Sequence, residues 1–383
     1  MDRLDLVFFD AGGGHRSAAT ALGQALESAH GSWEVRMVNL QEILDPIDLW
    51  RRITGTRLQD LYNTILRNGW TLGSPYLLRV LQGVIRAYHA DEVRLLREFW
   101  LADPPDLVAS LVPHFNRALR EGITSASPRT PFATILTDLA DYPPHFWIEP
   151  QEQFFICGTD KAASQARSLG IAEKLILQTS GMIVHPRFYE PLEIEVATER
   201  LRLGLDPSLP TGLVMFGGHG SKAMLEIGRR LDEAAPDLQL IFICGHNENL
   251  AAELRQTASR RTKLVRGFTT EIPYYMALSD FFIGKPGPGS ISEALVMNIP
   301  VIVQRDAWTL PQERYNAEWI REQQVGVVVS SFGNLPAAVK ELLSPERSEN
   351  YRAKAAALRN RAVFEIPDLL KGILQGRKSL LVA

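Results

Sequence analysis

The chain of 383 residues is 45% hydrophobic and 22% charged, with 41 Lys and Arg against 44 Asp and Glu, a net charge of −3. At roughly 150 residues per domain, that length predicts two or three domains with ample core, and the acidic balance argues against general nucleic-acid binding. Two cysteines, Cys157 and Cys244, are too few for a disulfide framework, and no apolar run nears the roughly 18 residues that span a bilayer. The acidic start MDRLDLVFFDAGGG does not read as a secretory signal. The expectation is a cytoplasmic, multi-domain globular protein.

Short β-rich runs alternate with helical stretches, the pattern of α/β domains with parallel sheets. In the first half the strand candidates are Leu4–Phe9, Trp33–Asn39, Asp106–Val112, Phe132–Thr137 and Gln153–Cys157, with helices over Ser17–Ser28 and Lys161–Ser168. Residues 49–90 interrupt this rhythm. They hold six arginines (51, 52, 57, 67, 79 and 86), one acid (Asp60) and no lysine, a local charge of +5 that leaves −8 for the remainder. Leu58, Leu61, Tyr62, Ile65 and Leu66, then Tyr76, Leu77, Val80, Leu81, Val84 and Ile85, recur at helical spacing. Such basic amphipathic helices either lie in a membrane interface or pack on their own domain with arginine outward. The proline-rich stretch Pro186–Pro210 reads as a linker. Strand candidates then restart at Gly212–Phe216, Leu238–Cys244, Lys263–Val265, Phe281–Gly284, Val301–Gln304 and Gly326–Val329.

Three strand–glycine–helix junctions carry the chemistry. In DAGGGHRSAATAL (10–22), glycines allow positive φ and close ligand approach, and the helix start offers free N–H groups. No Gly-Lys-Ser/Thr follows, so it is not a P-loop; Ser17 at the third glycine position and Asn39 at the end of the second strand do not fit a dinucleotide fingerprint. Gly13 and Gly14 then form a ligand turn, and His15 supplies an imidazole whose unperturbed pKa lies near neutrality. LVMFGGHGSKAM (213–224) and GKPGPGSISEAL (284–295) repeat the arrangement. In the latter, Pro286 and Pro288 stiffen the turn and Ser290 stands ready to cap the helix. Two helix N-termini make a diphosphate cradle, with Glu293 one turn further on facing a ribose. His219 and His246 each follow a glycine at a strand end, either as plain loop residues or close to the donor, and no Cys/His cluster has zinc spacing.

GGGHRSAATAL, TDLADYPPHFW, GMIVHPRFY, FGGHGS, CGHNENLAAEL, VRGFTTEIPYYMALSD, GKPGPGSISEAL and PQERYN stand in that order along nearly the whole chain. This set resembles the monogalactosyldiacylglycerol synthase and processive diacylglycerol glucosyltransferase group, relatives of the GlcNAc transferase that completes the lipid-linked peptidoglycan precursor. The resemblance implies an α/β GT-B fold, two Rossmann-like domains facing a central cleft. It also implies inverting transfer of a hexose, from UDP-galactose or UDP-glucose, to a lipid acceptor such as diacylglycerol. No cofactor and no essential metal are implied, and no Asp-x-Asp occurs in the chain.

The expected domains are 1–186 for acceptor and membrane, with the basic insertion 49–90, then 187–352 for the UDP-sugar donor, then 353–383 as helices returning to the first domain. Carried over by position, Gly217, Gly218 and Gly220 with Gly287, Pro288, Gly289 and Ser290 hold the diphosphate. Phe268 marks the uracil, Glu293 the ribose, and Gln312 and Glu313, with Asn316 behind, the hexose. On the acceptor side, His15 is the expected base, near Gly13 and Gly14, with Asp138 orienting the acceptor or sharing that role. Trp50, Arg51, Arg52, Arg57 and Trp70 would dock the protein on an anionic cytoplasmic membrane face.

Three departures fall on the acceptor side or the hinge. Ile183-Val184-His185 stands where the group usually has Pro-Val-Arg, with Arg187 the nearest substitute. Tyr142-Pro143-Pro144-His145 puts its histidine two residues later than the usual Cys-His-Pro, and His114 follows Pro113 instead of preceding it. Three rivals stay open: a UDP-GlcNAc-dependent transferase on another lipid, a UDP-sugar epimerase and a non-catalytic UDP-sugar-binding protein.

Overall fold

The computed structural model describes residues 1–10, 13–29, 33–47, 74–234, 237–260, 262–307 and 309–382. They form two compact units. One comprises Met1–Pro186, Leu310–Tyr315 and Asn360–Ala383; the other comprises Arg187–Thr309 and Asn316–Arg359.

The first unit is built on β1 (Asp2–Phe8), β2 (Trp33–Asn39), β3 (Leu107–Ser110), β4 (Phe132–Ile135), β5 (Phe154–Cys157) and β6 (Ile176–Gln178). They form one sheet in the order β2-β1-β3-β4-β5-β6, parallel throughout. Successive side chains of a strand point to opposite faces, and both faces of this sheet are covered. Leu4, Leu6 and Phe8 of β1 pack with Leu22 and Leu26 of helix Gly14–Ser28 and with Ile366 and Leu370 of the C-terminal helix Ala362–Val382. Val7 and Val108 face the other way, onto Leu96 and Trp100 of helix Ser74–Ala102 and Leu119 of helix Asn116–Ala126. The chain re-enters this unit at Asn360, later than the expected 353. Pro345–Leu358 is still a helix of the second unit, its Tyr351 hydroxyl donating to Glu341 Oε1 at 2.9 Å. Past Arg359, Asn360 Nδ2 donates to the Met182 carbonyl at 2.9 Å, and Glu365 accepts from the Ser180 backbone at 2.8 Å and from its hydroxyl at 2.6 Å.

The second unit contains β7 (Thr211–Met215), β8 (Gln239–Ile243), β9 (Lys263–Arg266), β10 (Phe281–Gly284), β11 (Val301–Gln304) and β12 (Gly326–Val329). Their order is β12-β11-β10-β7-β8-β9, again all parallel. Val214, Phe242, Phe281, Ile283 and Ile302 meet Met224, Ile227 and Leu250 in its main core.

Among the elements not named from the sequence are β6 and the helix Val196–Arg202 inside the expected linker. Helix Ser74–Ala102 takes up the end of the basic insertion. Trp50, Arg51, Arg52, Arg57 and Trp70 lie outside the described residues. No described helix is long and apolar enough to cross a membrane.

In each sheet the chain lays strands to one side of the first strand and then jumps to its other side. The reversal falls between β1 and β3 in one sheet and between β7 and β10 in the other. Such switch points open a crevice at the carboxyl ends of the strands, where ligands of open α/β sheets bind.

Midway along β1, Asp5 is fully buried and sits in register with Arg36 of β2. Arg36 Nε and Nη2 donate to its two oxygens at 2.7 and 2.6 Å, and the Trp100 indole donates to Oδ2 at 2.9 Å. The Arg36 guanidinium also stacks over Phe99, 4.9 Å from the ring centre. Asp5→Ala removes two bonds of the half-buried Arg36 and leaves the buried Trp100 N–H without its partner, so we expect a loss of about 3 kcal/mol, at the lower end for a broken buried pair because Arg36 keeps some solvent and its Asp103 partner at 2.9 Å. Urea unfolding checks this; a change under about 1 kcal/mol would refute it.

Candidate active site

Three adjacent strands of the first sheet, β1, β3 and β4, bring polar side chains to their carboxyl ends. After β1, Gly13 adopts φ 80°, which favours glycine, and its carbonyl accepts the Ser17 N–H at 3.0 Å to open the helix. Gly13 and Gly14 both face open space. His15, half-buried, places Nδ1 3.1 Å from Thr137 Oγ1, and its ring lies 5.7 Å from that of Trp147. Desolvation drives its pKa down to about 4, against a hydrogen bond with the Leu111 backbone that favours the charged form. The expectation that this imidazole needs no tuning is therefore corrected. His15 is neutral at pH 7, and its environment resists the charge that a base must take up.

Asp138, next to Thr137, is buried, and its Oδ2 accepts the Trp147 indole N–H at 2.9 Å. Asp141 fixes the loop between them, taking the Trp147 N–H at 2.6 Å and the His145 N–H at 3.0 Å. Burial raises the pKa of the Asp141 carboxyl, and these backbone bonds pull it back. The displaced His145 is exposed, with Nδ1 3.2 Å from the Ile148 carbonyl. After β3, His114 adopts φ 67° and donates its N–H to the Phe146 carbonyl at 2.6 Å. Its ring meets Phe146 edge-on at 4.3 Å. Sequence reading registered His114 only as a change of order; backbone conformation and burial, which carry its interest, leave no mark in the sequence.

In the second unit the glycine loops follow β7 and β10, neighbours on either side of the switch point. Gly217 has φ 71° and Gly220 φ 58°; a Cβ on Gly220 would meet Leu250 Cδ2 at 2.8 Å and the Cys244 carbonyl at 3.0 Å, whereas Gly218 is open. A Cβ on Gly217 would lie 3.9 Å from Lys285 Cε, so the two loops are adjacent. Gly287 is the N-cap of helix Pro288–Val296, with Pro288 at its start. Ser290 therefore sits inside the first turn and does not cap, contrary to expectation. No side chain caps this helix, which leaves its first N–H groups to a ligand.

Asn316, fully buried, donates Nδ2 to the Pro286 carbonyl at 2.8 Å and so holds the loop. Desolvation pushes Glu293 up to about 7, and the charge of Arg187 partly offsets this. Arg187 thus acts beside Glu293, in the region where the usual arginine was missed. Phe268 is 59% exposed, and its ring stacks on His246 at 4.1 Å with 15° between planes. The His246 N–H in turn donates to the Gly218 carbonyl at 2.8 Å. The sequence leaves His246 open between a loop residue and one near the donor, and gives no sign of this aromatic platform. Gln312 and Glu313 occupy the 3₁₀ turn Pro311–Glu313, a stretch that groups with the first unit, whereas Asn316 groups with the second.

The desolvated imidazole makes a direct prediction. The His15 ring should titrate near pH 4 in proton–carbon NMR spectra instead of near 6.5. Between those values the unfolded chain binds a proton here that the folded chain does not, so this residue makes stability rise with pH from about 4 to about 6.5. His15→Gln should flatten that rise. A ring titrating near 6.5 would overturn the account.

Comparison with known proteins agrees with these features. Residues 213–371 match the family model of the Glycosyltransferase family 28 C-terminal domain. The chain is 26% identical to monogalactosyldiacylglycerol synthase 1 of Arabidopsis thaliana, over 98% of this chain and 72% of that protein. It is 28% identical to synthase 3 of the same plant, over 96% of this chain and 80% of the relative. Among solved structures, MurG of Acinetobacter baumannii aligns with a TM-score of 0.62 at 13% identity, over 97% of this chain and 100% of that one. MnaA of S. aureus, solved with UDP, aligns with a TM-score of 0.59 at 17% identity, over 95% and 94%. The fold is GT-B, and the chain resembles the monogalactosyldiacylglycerol synthases along nearly its whole length.

Proposed function

We propose that the protein is an inverting, metal-independent glycosyltransferase that moves a hexose, galactose or glucose, from a UDP-sugar to a hydroxyl of a membrane lipid such as diacylglycerol. The observation that carries this reading is the pair of adjacent glycine loops at the β7/β10 switch point, both inside the segment that matches a glycosyltransferase domain. Amides of Gly217, Gly218, Gly289 and Ser290, at a helix start fixed by Pro288, receive the diphosphate, while Gly220 and Gly287, whose N–H groups donate to the Gly217 and Lys285 carbonyls at 3.2 and 2.8 Å, shape the two loops. Glu293 takes the ribose, the Phe268–His246 platform the uracil, and Gln312 and Glu313 the hexose, while buried Asn316 holds the Pro286 loop. Arg187 adds the positive charge that a metal would otherwise bring.

In the reaction, the acceptor oxygen attacks the anomeric carbon as the bond from that carbon to the β-phosphate oxygen breaks. UDP leaves with the electron pair, and its growing charge falls on the loop amides and helix dipole. The acceptor proton goes to a first-unit base. Protonating His15 would create a charge in a site that resists one, whereas Asp138 is a carboxylate at the same strand ends, held in place by the Trp147 indole. Asp138 is therefore the base in this reading, and neutral His15 orients the acceptor.

A matrix of UDP-sugars against lipid vesicles, read by product mass, tests the reading. Hexose transfer is expected. Interconversion of UDP-GlcNAc without lipid would favour an epimerase, and UDP binding without turnover a non-catalytic binder. Asp138→Asn should lower turnover by about a hundredfold or more, and His15→Ala by about tenfold, the value of one hydrogen bond. The reverse order would restore His15 as base.

The basic segment is proposed to bring the enzyme to the cytoplasmic membrane face. An arginine near an anionic surface is worth about 1 kcal/mol, so a net +5 gives on the order of 5 kcal/mol before screening. Vesicle flotation should rise with anionic lipid and fall with salt. Arg51→Ser, Arg52→Ser and Arg57→Ser together should weaken it while UDP affinity stays the same. Unchanged flotation would remove this segment from the membrane contact.

A further inference from the structure

The first sheet reverses direction between β1 and β3, and each of these strands is followed by a histidine at its carboxyl end, His15 after β1 and His114 after β3. The two are close enough for His15 to act electrostatically on His114. Around them the other polar groups are engaged: His15 Nδ1 faces Thr137 Oγ1, and Asp138 Oδ2 accepts the Trp147 indole. His114 Nε2 differs, being buried from solvent with no hydrogen-bond partner. A ring nitrogen left so is costly in either tautomer unless a ligand completes it.

The backbone gives a second, independent sign. His114 holds φ 67°, an uncommon conformation for a side-chain-bearing residue. Phe146 keeps it there, through the 2.6 Å bond to its carbonyl and the edge-on ring contact. Phe146 immediately precedes Trp147, so the loop that carries the partner of Asp138 also fixes the orphan imidazole. Local strain maintained by two contacts at a ligand crevice points to a side chain held for binding.

We propose that His114 is an acceptor-binding residue whose Nε2 hydrogen-bonds an uncharged hydroxyl of the acceptor's polar head. The charge state decides the ligand class. Burial and the neighbouring His15 hold the His114 pKa down to about 4, so at pH 7 the ring is neutral. A neutral imidazole offers either a lone pair or one N–H, which suits a hydroxyl, itself both donor and acceptor. A phosphate head would call for an imidazolium, and the site suppresses one. The crevice thus selects a lipid with a hydroxyl head over one with a phosphate head.

This inference rests on the glycosyltransferase reading, so the test separates the two. The full chain is assayed with UDP-galactose and UDP-glucose against diacylglycerol in phosphatidylcholine vesicles, alongside calorimetry of UDP binding. His114→Phe keeps the ring shape and removes the nitrogen. His114→Asn removes Nε2 with a residue that accepts positive φ readily, so it keeps the test valid if the phenylalanine variant does not fold. Both should raise the acceptor KM about tenfold or more, with the donor KM and UDP affinity within about twofold of the parent. Parent-like acceptor KM in a folded variant, or an equal rise in donor KM, overturns the role of His114. A parent protein that transfers no hexose to any lipid overturns the glycosyltransferase reading itself.

Discussion

Every strand in both sheets runs parallel to its neighbours, and that constraint decides where the chemistry can gather. A parallel neighbour can be reached only by a crossover along one face of the sheet, and the crossovers share one hand. All strand exits therefore lie on one edge. Where the chain changes its direction of travel, two adjacent exits diverge and leave room between them. His15 and His114 flank that gap in one sheet; the Gly217 and Gly287 loops flank it in the other. The opposite edge has no such gap, and midway along the strands Asp5, Arg36 and Trp100 close on one another as a structural cluster.

Much of this organisation was legible in the sequence because strands buried on both faces read as short apolar runs. Phe281–Gly284, Val301–Gln304 and Gly326–Val329 could be bounded to the residue. β6 could not: it is an edge strand of three residues whose exposure rises along its length, too short for any period to register. Helix Val196–Arg202 was hidden by the prolines around it and by an unusual cap. Glu195, rather than a short polar residue, accepts from the Ala197 and Thr198 N–H groups at 3.2 and 2.5 Å. The glycine loops were legible, but not which residue begins the second helix. Ser290 is the best capping residue by type, yet the bend at Gly287 starts the helix three residues earlier.

The electrostatics of the candidate site were not legible at all. The pKa of His15 depends on what covers it, and its partners Leu111, Thr137 and Trp147 lie more than ninety residues away in the chain. The same holds for Glu293, whose neighbour Arg187 precedes it by over a hundred residues. Residue type supplies the unperturbed value, and only the fold supplies the shift. For His15 the shift reverses the functional preference, since a residue selected for its neutral-range pKa no longer has one.

The two units meet opposite electrostatic requirements with the same topology. The first-unit crevice keeps both its histidines neutral, which suits an uncharged hydroxyl. In the second unit, open helix amides and Arg187 favour an anion, and a fully ionised Glu293 there would oppose it. Burial limits that opposition: with a pKa near 7 the carboxyl is only partly ionised at neutral pH, so in the proposed reading it contacts the ribose without a full negative charge beside the diphosphate. A glutamate is tolerated next to an anion site because the fold withholds part of its charge.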